Sequence, residues 1–346
     1  MDLASYDAYL RGFVRWIPRH GGDPVWAVGA PHEQYSKEVA HRLAHFYWLL
    51  DQPADDDDSD TVGGSHAAFR DWMTRFAREW GAFLDTPESF SDEVLGSFRE
   101  NGEEYAVEDS LMPDGRPNSP SGWLTFNQFF ARELNPGLRP LAGPGDNRVV
   151  TCPGDCSYVA TYAVGDDSAI PATRVKQTHT YGNLRQLLEG SAYADAFAGG
   201  TFVHYVLPPP AYHRYHLPVS GRVLESYVVP GRVYAQVELT DGELLSLDDA
   251  ETGYEFSQTR GVVVLDTADS PDGDVGLVAI VPVGMSHVAL VNLTTTEGRL
   301  VTKGEEFGFF QFGGSDLILL FQSGVDLDVD TGEEPRRTGT VIARCA

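Results

Sequence analysis

The stretch Phe307-Gly308-Phe309-Phe310-Gln311-Phe312-Gly313-Gly314-Ser315-Asp316-Leu317-Ile318-Leu319-Leu320-Phe321 decides how the chain is read. Two apolar, strand-like runs flank Gly313-Gly314-Ser315. A glycine pair between β-rich runs is most simply a hairpin turn, because glycine reaches positive φ without steric cost. Whether Ser315 also carries chemistry depends on what the other segments bring to it.

From about Arg148 onward the chain reads as short apolar runs broken by Gly, Pro and Asp: Phe202–Leu207, Gly221–Val229, Val233–Leu239, Gly261–Asp266, Gly276–Val283 and Val288–Leu293. One helix, roughly Gly182–Glu189, interrupts them. No βα alternation and no phosphate-cradling glycine loop occurs, so a mainly antiparallel β unit is expected. Residues 1–120 read differently. Val39, Leu43, Phe46, Tyr47 and Leu50 recur at helical spacing within Ser36–Asp51, as do Phe69, Trp72, Met73, Phe76, Trp80, Phe83 and Leu84 within Ala67–Asp85. A third helix is expected after Ser91. The acidic run Asp55–Asp60 reads as a solvated loop, and residues 105–122 as a linker. Thr125-Phe126-Asn127-Gln128 is a capping-box pattern opening a helix through Phe129–Leu134, which stops at Asn135-Pro136-Gly137. The expectation is an α+β chain: a helical N-terminal region over 1–120, then a mainly antiparallel β domain over 121–346.

Composition narrows the function classes. The 346 residues carry 51 Asp and Glu against 25 Lys and Arg, a formal net charge of −26. Such a surface repels nucleic acid and anionic lipid headgroups and suits a high-salt cytoplasm. The longest apolar runs are too short to span a bilayer. Met1-Asp2-Leu3-Ala4-Ser5 lacks a basic start and an apolar core, so a cytoplasmic location is expected. Cys152, Cys156 and Cys345 are an odd count that argues against a disulfide framework, and Cys152 and Cys156 lack the spacing of a zinc pair and read as two small buried residues. His41 and His45 sit four apart on a helix, but no acidic ligand motif accompanies them, and no metal is expected.

Three segments of the β unit could serve Ser315. Pro209-Pro210-Ala211-Tyr212-His213-Arg214-Tyr215-His216 holds two histidines three apart. They point to opposite faces in an extended segment and converge in a turn. Cys152-Pro153-Gly154-Asp155-Cys156 places an Asp in a turn, where it either bonds its own backbone or orients a histidine. Gly313-Gly314-Ser315 is the third.

These segments resemble the pyruvoyl-dependent phosphatidylserine decarboxylase family over about Thr125 to Phe321. The resemblance is carried by Phe126-Asn127-Gln128-Phe129-Phe130-Ala131-Arg132-Glu133-Leu134, Ala211-Tyr212-His213-Arg214-Tyr215-His216, Pro230-Gly231 with Tyr234-Ala235-Gln236, and Thr302–Gly308 leading into Gly-Gly-Ser. Gly284-Met285-Ser286, Phe310–Ser315 and Phe76–Ser89 resemble its soluble branch, which includes a fungal tryptophan decarboxylase. The resemblance implies self-cleavage between Gly314 and Ser315, leaving a covalent pyruvoyl group at 315. Gly314, without Cβ, would let the hydroxyl reach its carbonyl. It implies that Asp155 orients His216, that His216 takes the Ser315 proton, and that His213 reprotonates the substrate carbon. It implies a substrate contact at Lys176, and it makes a homodimer possible. Asp155 is followed by Cys156, where the family pattern has Gly. The expected substrate is a free, aromatic L-amino acid bound to the ketone as a Schiff base. The alternatives are phosphatidylserine, an uncleaved β-domain binding protein, and a serine hydrolase, the last without a nucleophile-elbow motif around Ser315.

Overall fold

The computed structural model describes residues 3–20, 38–50, 67–101, 103–120, 122–175, 179–231, 233, 237–240, 243–246, 256–284, 291–313 and 315–346. The chain is α+β. Among the described residues, four helices come first: α1 (Leu3–Phe13), α2 (Glu38–Leu50), α3 (Ala67–Leu84) and α4 (Asp92–Asn101). The last three are those expected from periodicity. The short helices α5 (Phe126–Phe130) and α6 (Leu184–Leu187) follow. The strands that build the centre are β1 (Ser157–Ala163), β2 (Thr201–Leu207), β3 (Arg214–His216), β4 (Gly221–Val229), β5 (Arg260–Asp266), β6 (Leu277–Gly284), β7 (Val291–Leu293), β8 (Leu300–Val301), β9 (Glu306–Phe310) and β10 (Ser315–Phe321).

Seven of them form one antiparallel sheet in the order β8-β4-β5-β6-β10-β2-β1, and β7-β9-β3 form a smaller sheet. β10 is therefore interior, paired with β6 on one side and β2 on the other. All seven of its residues are buried. Alternation explains why a run this apolar is a strand. Leu317, Leu319 and Phe321 enter the core shared with the smaller sheet, whereas Ile318 and Leu320 enter the core on the opposite face. A strand covered on both faces has no reason to alternate polar with apolar residues.

That parity also sorts the first two residues of β10. Ser315 shares the face of Leu317, towards Tyr215 of β3 and Phe307 and Phe310 of β9. Asp316 shares the face of Ile318, where its carboxylate lies 3.4 Å from His204 Nε2 of β2. A register slip of one residue would exchange them.

The N-terminal helices enclose their own aromatic core, with Phe46, Trp80 and Phe98 almost completely buried. That core also takes in Phe126, Phe129 and Phe130 of α5 and Phe312 from the segment before β10. Helix α5 starts as its capping box predicts, with Thr125 Oγ1 accepting from the Gln128 N–H at 3.2 Å. It is shorter than expected. It ends at Phe130, and the Arg132 guanidinium turns back to donate to the Phe130 and Tyr105 carbonyls. Among the described residues, no helix is long and apolar enough to cross a membrane.

Candidate active site

Ser315 opens β10 and is fully buried. Pairing with Gly284 on β6 and Leu207 on β2 sets its place. Before it, Gly313 takes φ +148°, a conformation open to glycine but rare for other residues. The chain thus enters β10 through a bend that side-chain-bearing residues disfavour. Gly314 lies outside the described residues, as does Lys176.

His213 directly precedes β3, and its Nδ1 lies 3.4 Å from Ser315 Oγ. This is a loose contact of the kind that tightens as reaction proceeds. The other ring nitrogen, Nε2, is 3.0 Å from the Pro209 carbonyl oxygen. A carbonyl only accepts, so Nε2 carries the hydrogen and the Nδ1 lone pair faces the hydroxyl. Phe130 stacks on the imidazole at 4.1 Å between ring centres, and Phe310 meets it edge-on at 6.4 Å. Burial among these rings pushes the His213 pKa down to about 3, so the ring is neutral.

The expected relay from Asp155 through His216 to Ser315 is not the hydrogen-bonded arrangement found. His216 Nδ1 donates to the Gly304 carbonyl at 2.9 Å, and its Nε2 accepts from the Tyr212 hydroxyl at 3.0 Å. Burial lowers its pKa as well. Asp155 accepts from Arg139 Nε at 2.9 Å and from the Thr338 N–H and hydroxyl at 2.9 and 2.8 Å. The strand β3 separates the two histidines, as alternation in an extended segment requires.

Asp155 nevertheless lies under the same sheet face. A Cβ on Gly154 would sit 2.8 Å from Leu317 Cδ1 of β10, so the turn packs closely against that strand's side chains. The flanking Cys152 and Cys156 are buried, as expected, with their sulfurs 3.2 Å apart. Four residues outside the expected set shape the site. Tyr212 occupies His216, Phe130 fixes the His213 ring, Arg139 holds Asp155, and Phe312 ties the pre-strand segment to the helices. Tyr212 and Phe130 lie inside the quoted motifs. Arg139 and Phe312 act over distances that no local pattern encodes.

Residues 126–343, more than half of the chain, match the sequence profile described as phosphatidylserine decarboxylase. Phosphatidylserine decarboxylase proenzyme 2 of rice (Oryza sativa subsp. japonica) is 29% identical over 264 residues, which cover 75% of this chain and 38% of that protein. The chain thus spans well under half of the rice protein's length. Decarboxylase iboD of Amanita muscaria is 29% identical over 277 residues, 73% of this chain and 77% of that protein. The L-tryptophan decarboxylase of Psilocybe cubensis is 28% identical over 286 residues, 76% of this chain and 64% of that protein. With a buried serine after a glycine pair, a neutral imidazole facing it, and a profile match running through both, the chain belongs to the phosphatidylserine decarboxylase family.

Proposed function

We propose that the chain is a self-processing decarboxylase that cuts itself between Gly314 and Ser315 and acts on a free L-amino acid with an aromatic side chain. The observation that carries this reading is the placement of Ser315: buried, at the start of an interior strand, with its hydroxyl against the His213 lone pair.

A histidine takes the Ser315 hydroxyl proton. The oxygen bonds to the Gly314 carbonyl carbon, the Gly314–Ser315 C–N bond breaks as the histidine passes its proton to the departing nitrogen, and an ester with a free amine remains. Loss of the Ser315 α-proton expels the Gly314 carboxylate from Cβ. One water then replaces the nitrogen, which leaves as ammonia.

The residues present fit the resulting pyruvoyl group. It keeps the three serine carbons, adds no charge, and stays attached to Asp316, so the pairing of β10 from Asp316 onward is kept. An uncharged group suits walls made of Phe130, Phe310 and a neutral His213. Once formed, the ketone supplies an electron sink for a substrate amine. His213 is placed to handle a proton at this position, and the aromatic rings around it exclude water.

Two assignments of the cleavage base compete. The family pattern favours His216, oriented by Asp155. The 3.4 Å contact and the direction of its lone pair favour His213. A free amino acid is favoured over a lipid by the net charge of −26, which opposes approach to an anionic bilayer. Phosphatidylserine is the second reading, supported by the name of the rice relative.

Intact mass of the purified protein tests the proposal. Two chains are expected, the smaller holding residues 315–346 with no free amino terminus, and Ser315→Ala should stay whole. A full-length chain in the active fraction would overturn the reading. His213→Ala remains uncut if His213 is the base. If it is cut but inactive while His216→Ala is uncut, the base is His216. CO₂ release from tryptophan, tyrosine, phenylalanine and phosphatidylserine then decides the substrate, and release from the lipid alone would reject the amino-acid reading.

A further inference from the structure

Phe312 lies three residues before Ser315 and is only 3% exposed. It packs in the aromatic core of the N-terminal helices, not in either core of the large sheet. Three rings meet it edge-on: Trp80 of α3 at 5.7 Å, and Phe126 and Phe130 of α5 at 5.2 and 5.1 Å. Edge-to-face pairs add directional preference to the gain from burial.

Polar contacts repeat the tether. The Phe312 N–H donates to Asn127 Oδ1 at 3.4 Å. Asn127 Nδ2 donates to the Gly81 carbonyl at 3.1 Å and to Asp85 Oδ1 at 3.0 Å. The other Asp85 oxygen accepts from Gln311 Nε2 at 3.3 Å. Both residues before the glycine pair are therefore tied to the C-terminal end of α3 and to α5. Phe130 serves twice, since the ring that meets Phe312 also stacks on His213.

We infer that the N-terminal helical unit is the clamp for self-cleavage, and that Phe312 is its anchor and a positioning residue for the cut. This rests on the self-cleavage reading above. The attack joins a hydroxyl on one side of the bond to a carbonyl on the other. The downstream side is held by the pairing of Ser315 with β2 and β6. On the upstream side the pairing of β9 with β7 and β3 ends at Phe310, and the last side chain before two glycines is Phe312. Glycines transmit position poorly unless what precedes them is fixed. Holding Phe312 fixes the chain two residues before the proposed cut. The shared Phe130 ring links Phe312 to His213.

A displacement of about 1 Å can cost about 10²-fold in rate, so Phe312→Ala is expected to slow cutting by about 10- to 100-fold. The conversion of freshly made full-length chain is followed by intact mass, alongside melting temperature and near-UV circular dichroism. Phe312→Leu, which refills most of the space, should recover most of the rate. Phe46→Ala is the control: Phe46 lies in the same core but stacks on Phe13 and Phe76. It should lose stability and still cut at the parent rate. The rate of Phe312→Ala should fall at every pH without a shift of its midpoint, because the base is untouched. Should Phe312→Ala fail to fold, Asp85→Ala takes its place. This exposed side chain holds both Gln311 and Asn127, and its loss should slow cutting by several-fold. Cutting at the parent rate in folded Phe312→Ala, or in Asp85→Ala where Phe312→Ala does not fold, overturns the inference. So does equal slowing of Phe46→Ala at matched stability. A parent chain that is never cut instead removes the self-cleavage reading, and the clamp with it.

Discussion

The buried imidazole at Ser315 ties chemistry to stability. Burial holds the His213 pKa down to about 3 in the folded chain, against about 6.5 for an exposed histidine. Between those values the unfolded chain binds a proton that the folded chain does not. Stability is therefore full above about pH 6.5 and falls as pH drops, by about 1.4 kcal/mol per pH unit for one such imidazole. His216 is lowered in the same direction by the same cause and adds to the loss. Melting temperatures at pH 7, 6 and 5 should decline, and His213→Gln should decline less steeply. Parallel slopes in the two proteins would show that His213 is not a site of proton uptake. The same depression keeps the Nδ1 lone pair free at neutral pH, which the proposed proton transfer needs.

At the level of elements, α5 has the largest role for its size. Its five residues present Phe126, Phe129 and Phe130 to the helical core, Asn127 to the segment before β10, and the face of Phe130 to His213. So short a helix cannot sustain itself by propagation and relies on its cap and its packing. Thr125 Oγ1 supplies the cap to the Gln128 N–H. Thr125→Ala should cost about 1 kcal/mol in chemical denaturation and slow self-cleavage. An unchanged denaturation midpoint would mean that packing alone holds the helix. β10 makes the complementary contribution. Its pairing on both edges fixes the chain from Ser315 onward.

For the whole molecule, electrostatics sets the conditions of folding. A net charge of −26 on 346 residues is repulsive at close range, and salt shortens that range from about 30 Å at 0.01 M to about 3 Å at 1 M. The melting temperature should rise as sodium chloride is increased across that interval. A midpoint that stays constant or falls would show that local ion pairs, such as Arg139 with Asp155, outweigh the repulsion. The helical region and the β region also meet at a defined place, because Phe312 belongs to the helical core while Ser315 belongs to the large sheet. The cut proposed at 314–315 would thus fall on the seam between the two cores.

Sequence by itself determined the α+β class, three of the N-terminal helices, most central strands and the candidate residues Ser315, His213, His216 and Asp155. The elements are legible because periodicity and turn chemistry are local, and the four residues because the motifs that hold them resemble those of the family. The helix α1 and the early end of α5 were not, since both depend on aromatic and carbonyl partners far along the chain. Only the tertiary structure decided which histidine faces Ser315. His213 and His216 are equivalent as letters, and the pairing of β3 with β9 turns one toward β10 and the other toward Tyr212 and Gly304. Only the tertiary structure engaged Asp155 with Arg139 and Thr338, residues 16 and 183 positions away. The physical reason is the same in each case. Side-chain identity is written locally, but the partner that sets a proton's position, or holds a strand's entry, is chosen by packing between segments remote in sequence.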